Sequence, residues 1–153
     1  MKDQLIETWV IHNRINLYLL DGIDEAHLAD VSASKGRSVG QQFAHIHNVR
    51  LMWLAAAQKE LAVGLVKLEK DAPLSKDGLK QHLTDSGQAI EKLLAAGFDS
   101  GRIKGFKPHP SAFLGYLISH ESHHRGQIML VLKQSGHAVS RKVGFGMWEW
   151  GVR

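Results

Sequence analysis

The chain has 153 residues, ten histidines, no cysteine and a formal charge of +4. That length suits one domain over residues 1–153 with a core of its own. The lack of cysteine excludes disulfides, zinc-thiolate sites and a thiol nucleophile belonging to the protein, so a metal would have to rest on His, Asp or Glu.

The start, Met1-Lys2-Asp3-Gln4-Leu5-Ile6-Glu7, mixes acids with apolar residues and lacks a signal-peptide core. From there Leu5, Ile6, Trp9, Val10, Asn13, Asn16, Leu17 and Leu20 recur at helical spacing, which predicts helix one over about 3–21 with Gly22 as its stop. Residues 22–36 are small and polar and read as a loop. Ser38 and Gln41 have the form of a capping box, opening helix two, whose stripe is Phe43, Ile46, Val49/Arg50, Trp53 and Ala57 and whose end is expected near Glu60. Gly64 would be costly inside a helix, so 61–74 reads as an extended connector. About fourteen residues at ~3.3 Å each span ~45 Å, more than the ~30 Å of a twenty-residue helix, so this segment can cross the molecule. Ser75 caps helix three, striped by Leu79, Leu83, Ser86, Ile90 and Leu93/Leu94 and closed by Gly97. A Gly-, Lys- and Pro-bearing loop over 98–109 leads to Pro110 at the start of helix four, which runs to about Gln134 with Gly136 as its stop. The tail, Arg141 to Arg153, carries Trp148 and Trp150 and is expected to be ordered. No strand signal is present, so the fold class is all-α, a four-helix bundle with an ordered C-terminal tail.

Lys and Arg are scattered, with Arg141-Lys142 the densest late pair, so nucleic-acid binding is not expected. No apolar run approaches the ~20 residues of a membrane span. A soluble, cytoplasmic protein with no membrane partner is the expectation.

Inside helix four stands His120-Glu121-Ser122-His123-His124. On a helix, His120 and His124 are one turn apart on one face, with Cβ atoms roughly 5–6 Å apart, so two imidazoles can converge on one ion. Tyr116, Leu117, Ile128 and Leu132 mark that face as the buried one. Two neutral imidazoles on a core face need partners, and a shared cation satisfies both. A third ligand has to come from elsewhere, and His45-Ile46-His47 is the other place where histidines crowd. His45 and His47 lie about 200° apart on a helix, and periodicity does not choose between them. Isolated histidines, His12, His27, His82 and His137, read as surface or hydrogen-bonded core residues.

Gln42-Phe43-Ala44-His45-Ile46, the helix-four run from Phe113 to Ile128, and Gly146-Met147-Trp148-Glu149-Trp150-Gly151 together resemble the DinB/YfiT-like superfamily of metalloenzymes, over nearly the whole chain. The resemblance implies an up-down-down-up bundle, with a long crossover between helices two and three, and a three-histidine divalent metal site. Carried over residue by residue, that site falls on His45, His120 and His124, with His47 and His123 as extra histidines. It also implies transfer of a low-molecular-weight thiol to an electrophilic small-molecule substrate, and a homodimer.

Three neutral imidazoles leave coordination positions open for water or a thiol, and all-nitrogen ligation suits zinc or nickel, with iron or copper as further candidates. Glu121, His123 and Tyr116 lie close enough in sequence to orient a ligand or move a proton. A plainer reading makes Glu121 an exposed partner of Arg125 at i+4. The run satisfies the His-Glu-x-x-His pattern of zinc proteases, but the extended form would need a glycine and then a histidine where the chain has Gln127 and Leu130. A di-iron site would need a second Glu-x-x-His pair, and none is visible. The expected function is therefore a metal-dependent enzyme, a thiol S-transferase first, with a metal-dependent hydrolase or a non-catalytic metal- or ligand-binding stress-response protein as alternatives.

Overall fold

Local capping chemistry sets the helix boundaries in the computed structural model, which describes residues 1–153. Helix α1 spans Lys2–Asp21. Helix α2 spans Val39–Ala57 behind the Ser38/Gln41 capping box, in which the Ser38 hydroxyl accepts from Gln41 N and the Gln41 side chain accepts from Ser38 N. Helix α3 spans Lys76–Ser100 behind Ser75, and α4 spans Pro110–Gln134 with Pro110 in the first turn and the His109 ring accepting from Ala112 N. A short helix, α5, covers Arg141–Gly146 in the tail, capped by Ser140.

Two apolar clusters hold the four long helices together. One gathers Leu19, Leu20, Phe43, Ile46, Leu79, Leu83, Ile128 and Leu132 among its members; the other contains Trp9, Leu54, Ile90, Leu94, Phe113 and Leu117. Every long helix contributes to both. Their order along the chain is the same in α2 and α3 and reversed in α1 and α4, so α2 and α3 point the same way. Parallel neighbours need a long connection. Here it is the stretch from Gln58 to Ser75, a 3-10 turn at Lys59–Ala62 followed by extended chain that bends at Gly64, with φ +82°. No helix is long and apolar enough to cross a membrane.

Two helix ends and one side chain differ from the sequence reading. Helix two stops at Ala57 rather than Glu60, because Gln58 leaves helical geometry at φ −158°. Gly97 does not close helix three; it stays within the helix, where Ile103 packs against its bare Cα, and the left-handed cap is Gly101 at φ +76°. Tyr116, placed on the buried face, is exposed. The tail is ordered: Gly146 rests against the Tyr18 ring and the Arg153 guanidinium lies 3.7 Å over it, while Trp148 stays 79% exposed.

Between the two apolar clusters every long helix carries buried polar residues: His12 and Asn16 on α1, Arg50 on α2, Ser86 on α3 and Glu121 on α4. This polar layer sets the level at which the candidate site forms.

Candidate metal centre

Helix α2 presents His45, and α4 presents His120 and His124 on successive turns. The three rings meet, with centroids 4.5 Å apart for His45 and His124, 4.6 Å for His120 and His124, and 5.4 Å for His45 and His120. One ring nitrogen of each lies within 4.8 Å of the other two, and His120 Nε2 is 3.2 Å from His124 Nε2. Two nitrogens bound to a tetrahedral ion at ~2.0–2.1 Å would lie about 3.4 Å apart, so small side-chain rotations suffice to close the set.

The hydrogen bonds fix which nitrogens are free. His124 Nδ1–H donates to Gln42 Oε1 at 2.6 Å, which leaves His124 Nε2 as a bare lone pair. His120 Nδ1 is buried with no partner, while His120 Nε2 faces His124 Nε2. Whichever tautomer His120 adopts, one polar atom is left unsatisfied or two lone pairs oppose each other; a cation removes the second problem. Burial first, then the charge of Arg37 and of His120, lowers the His45 pKa to about 4; burial, then His120 and His45, lowers that of His124 to about 4. His120 is lowered too, chiefly by burial. All three imidazoles are therefore neutral at pH 7, the state a metal needs. The donor set fits a divalent transition ion.

His47 points elsewhere. It is fully buried, with Nε2 2.8 Å from the Val66 carbonyl and Nδ1 3.1 Å from the His82 carbonyl. The structure thus separates the two helix-two histidines that periodicity left undecided. His123 is exposed, edge-on to His124 at 5.1 Å. Tyr116 stacks on His120 at a centroid distance of 6.3 Å and belongs to an aromatic group with Trp53, Phe106 and Phe113; it makes ring contact rather than a hydrogen bond.

Glu121 corrects the sequence reading most. It is not an exposed partner of Arg125 but 1% exposed, its carboxylate gripped by Arg50 Nε and Nη2 at 2.7 Å each, by Asn16 Nδ2 at 2.8 Å and by His12 Nε2 at 2.8 Å. Nor does it orient a triad histidine. Burial alone would raise its pKa; the Arg50 charge and the hydrogen bonds from Arg50 and His12 overcome that and hold the carboxyl well below the usual range. Burial keeps His12 neutral, so its Nε2–H donates to Glu121 and its Nδ1 accepts from Arg125 Nη1 at 3.3 Å. Arg125 meets Asn16 Oδ1 at 2.7 Å and Ser122 Oγ at 2.9 Å instead of Glu121.

Two cavities flank the triad. One of about 720 Å³ has His45 in its wall; a second of about 290 Å³ has His123 and His124. Gly36 and Arg37 line both. Sequence reasoning missed Gln42, Arg50 and Arg37. Arg50 offered a signal, a charge on an otherwise apolar stripe; Gln42 and Arg37 offered none.

The sequence matches the family model described as "DinB family" over residues 1–143. A crystal structure of a DinB-like protein from Bacillus cereus ATCC 10987 superposes with a TM-score of 0.70 at 20% identity, covering 90% of this chain and 95% of that one. At that identity the likeness carries the fold alone. No curated protein matches the sequence. The extent of the family match, on an all-α fold shared with a DinB-like structure, establishes that the chain belongs to the DinB family.

Proposed function

We propose that the protein is a metal-dependent enzyme whose His45, His120 and His124 hold one divalent transition ion, zinc or nickel first, and that it transfers a low-molecular-weight thiol to an electrophilic small molecule. The observation that carries the reading is the convergence of three ring nitrogens within 4.8 Å, with no carboxylate among them. An ion held by three neutral nitrogens keeps its charge and an open position, which acidifies a bound thiol or water.

The remaining contributions come from the chain. Gln42 fixes the His124 tautomer through Nδ1, so that Nε2 faces the centre. Tyr116 stacks on His120 and is itself held by Trp53, Phe106 and Phe113, which fixes one side of the ring. Arg37 places positive charge beside all three imidazoles, where it favours an anionic ligand. The cavity on His45 falls in the range of small-molecule sites, about 300–1,000 Å³. The chain has no cysteine of its own, so a thiol must arrive as substrate.

Cobalt-substituted protein tests the reading. Adding azide or a thiol should change its visible spectrum, because a catalytic centre keeps an exchangeable position. An unchanged spectrum at saturating ligand would support a metal-carrying, non-catalytic protein instead.

A further inference from the structure

The extended connector after α2 does not hang free. Gln41, His45 and Asn48 share one face of α2, and the outer two hold the connector against it. Gln41 Nε2 donates to the Lys70 carbonyl at 3.2 Å, and the Asn48 side chain pairs with both Leu68 backbone groups, accepting at 2.9 Å and donating at 2.8 Å. His47 reaches the Val66 carbonyl from the neighbouring face at 2.8 Å. The strap from Val66 to Lys70 is thereby fixed over the helix face that carries His45, and the cavity of about 720 Å³ lies between them. Its walls hold three cations, Arg37, Lys67 and Lys70, against one acid, Glu69. Lys67 is only loosely engaged with Glu69, at 3.7 Å across an exposed pair, and Arg37 forms no ion pair with a carboxylate.

From this arrangement we infer that the cavity is an anion-recognition site for the substrate: it selects a small molecule whose negative group lies against Arg37, Lys67 and Lys70 while its donor atom reaches the position at His45. The inference rests on the metal reading above and narrows its substrate class to anionic ligands. Backbone held by Gln41 and Asn48 keeps the two lysines from dispersing, so less order is lost on binding than at a mobile loop. The Arg37 guanidinium offers a planar fork suited to a carboxylate.

The test compares two thiols of similar size, 3-mercaptopropionate and 2-mercaptoethanol, titrated into the cobalt-substituted protein and read by its visible spectrum. The measured quantity is the ratio of their dissociation constants in the wild type and in a Lys67→Gln/Lys70→Gln variant and an Arg37→Gln variant, which cancels intrinsic differences between the thiols. Preference for the anionic thiol should fall at least about fivefold in each variant, about 1 kcal/mol, and shrink in the wild type at high salt. Cobalt content and melting temperature should stay unchanged, since all three side chains are exposed. An unchanged ratio in both variants overturns the anion inference and leaves the metal reading intact. A spectrum that responds to neither thiol overturns the open-centre reading and this inference with it.

Discussion

His120 and Glu121 are neighbours on one helix, yet they belong to clusters built on opposite rules. Around Glu121 the protein supplies every partner: both carboxylate oxygens are bonded, and the donors of Arg50 not used there reach Leu83 O, Ser86 Oγ and Asn13 Oδ1. Around His120 it supplies almost none, leaving Nδ1 buried without a partner and Nε2 facing only the Nε2 of His124. A closed set ties four helices together at the polar layer and has nothing to offer a ligand. An open set at the same level leaves ring nitrogens that could hold a cation. Adjacent residues separate these roles because a helix turns about 100° per residue.

Breaking the closed set should cost the fold most. Arg50→Met leaves Glu121 buried without its main partner and should destabilise the protein by about 3–5 kcal/mol in denaturant unfolding, whereas Arg50→Met/Glu121→Leu should recover part of that loss. The same changes made in the open set should act on metal rather than stability. His45→Ala, His120→Ala and His124→Ala should each remove most bound metal in elemental analysis, with metal-free stability changing by about 1 kcal/mol or less. His47→Ala and His123→Ala should retain the metal. If His47→Ala strips it while His45→Ala does not, the division drawn between these two residues is wrong.

Gln42 sharpens the contrast, because it is the partner the protein does give to the open set. Gln42→Leu should weaken metal affinity about 10–100-fold without abolishing it. A separate effect is the pH dependence of metal-free stability. His45 and His124 titrate near pH 4 in the folded chain, below their ordinary value. Between about pH 4 and pH 6.5 the unfolded chain therefore binds more protons, and stability should rise with pH across that window, as followed by thermal melts. Glu121 behaves oppositely in origin but not in sign: its lowered pKa gives stability present above the unfolded carboxylate range and lost only in strong acid. The His45→Ala/His124→Ala protein should show a flatter profile from pH 4 to 6.5.

Local chemistry made much of the fold legible in sequence. Ser38, Ser75 and Pro110 announce helix starts because they satisfy or remove orphan backbone donors, which is a property of a few consecutive residues. Gly97 misled because its reason is tertiary: it makes room for Ile103, six residues on. Glu121 misled similarly. The i+4 rule offers Arg125, but Arg50, 71 positions away, competes from a buried site and wins with two bonds. The place of His120 and His124 on one face follows from spacing alone. The choice of His45 over His47 does not; it depends on the strap, whose Val66 carbonyl meets His47 and whose cavity opens on His45.

Anomalous diffraction from crystals grown with zinc or nickel, collected at the absorption edge of the metal, addresses the central claim directly. A single strong peak within about 2.3 Å of His45, His120 and His124 nitrogens is the predicted result. A peak only elsewhere, for instance at the stacked His27 and His137 rings beside Asp30, or no peak at all from metal-saturated protein, would contradict it.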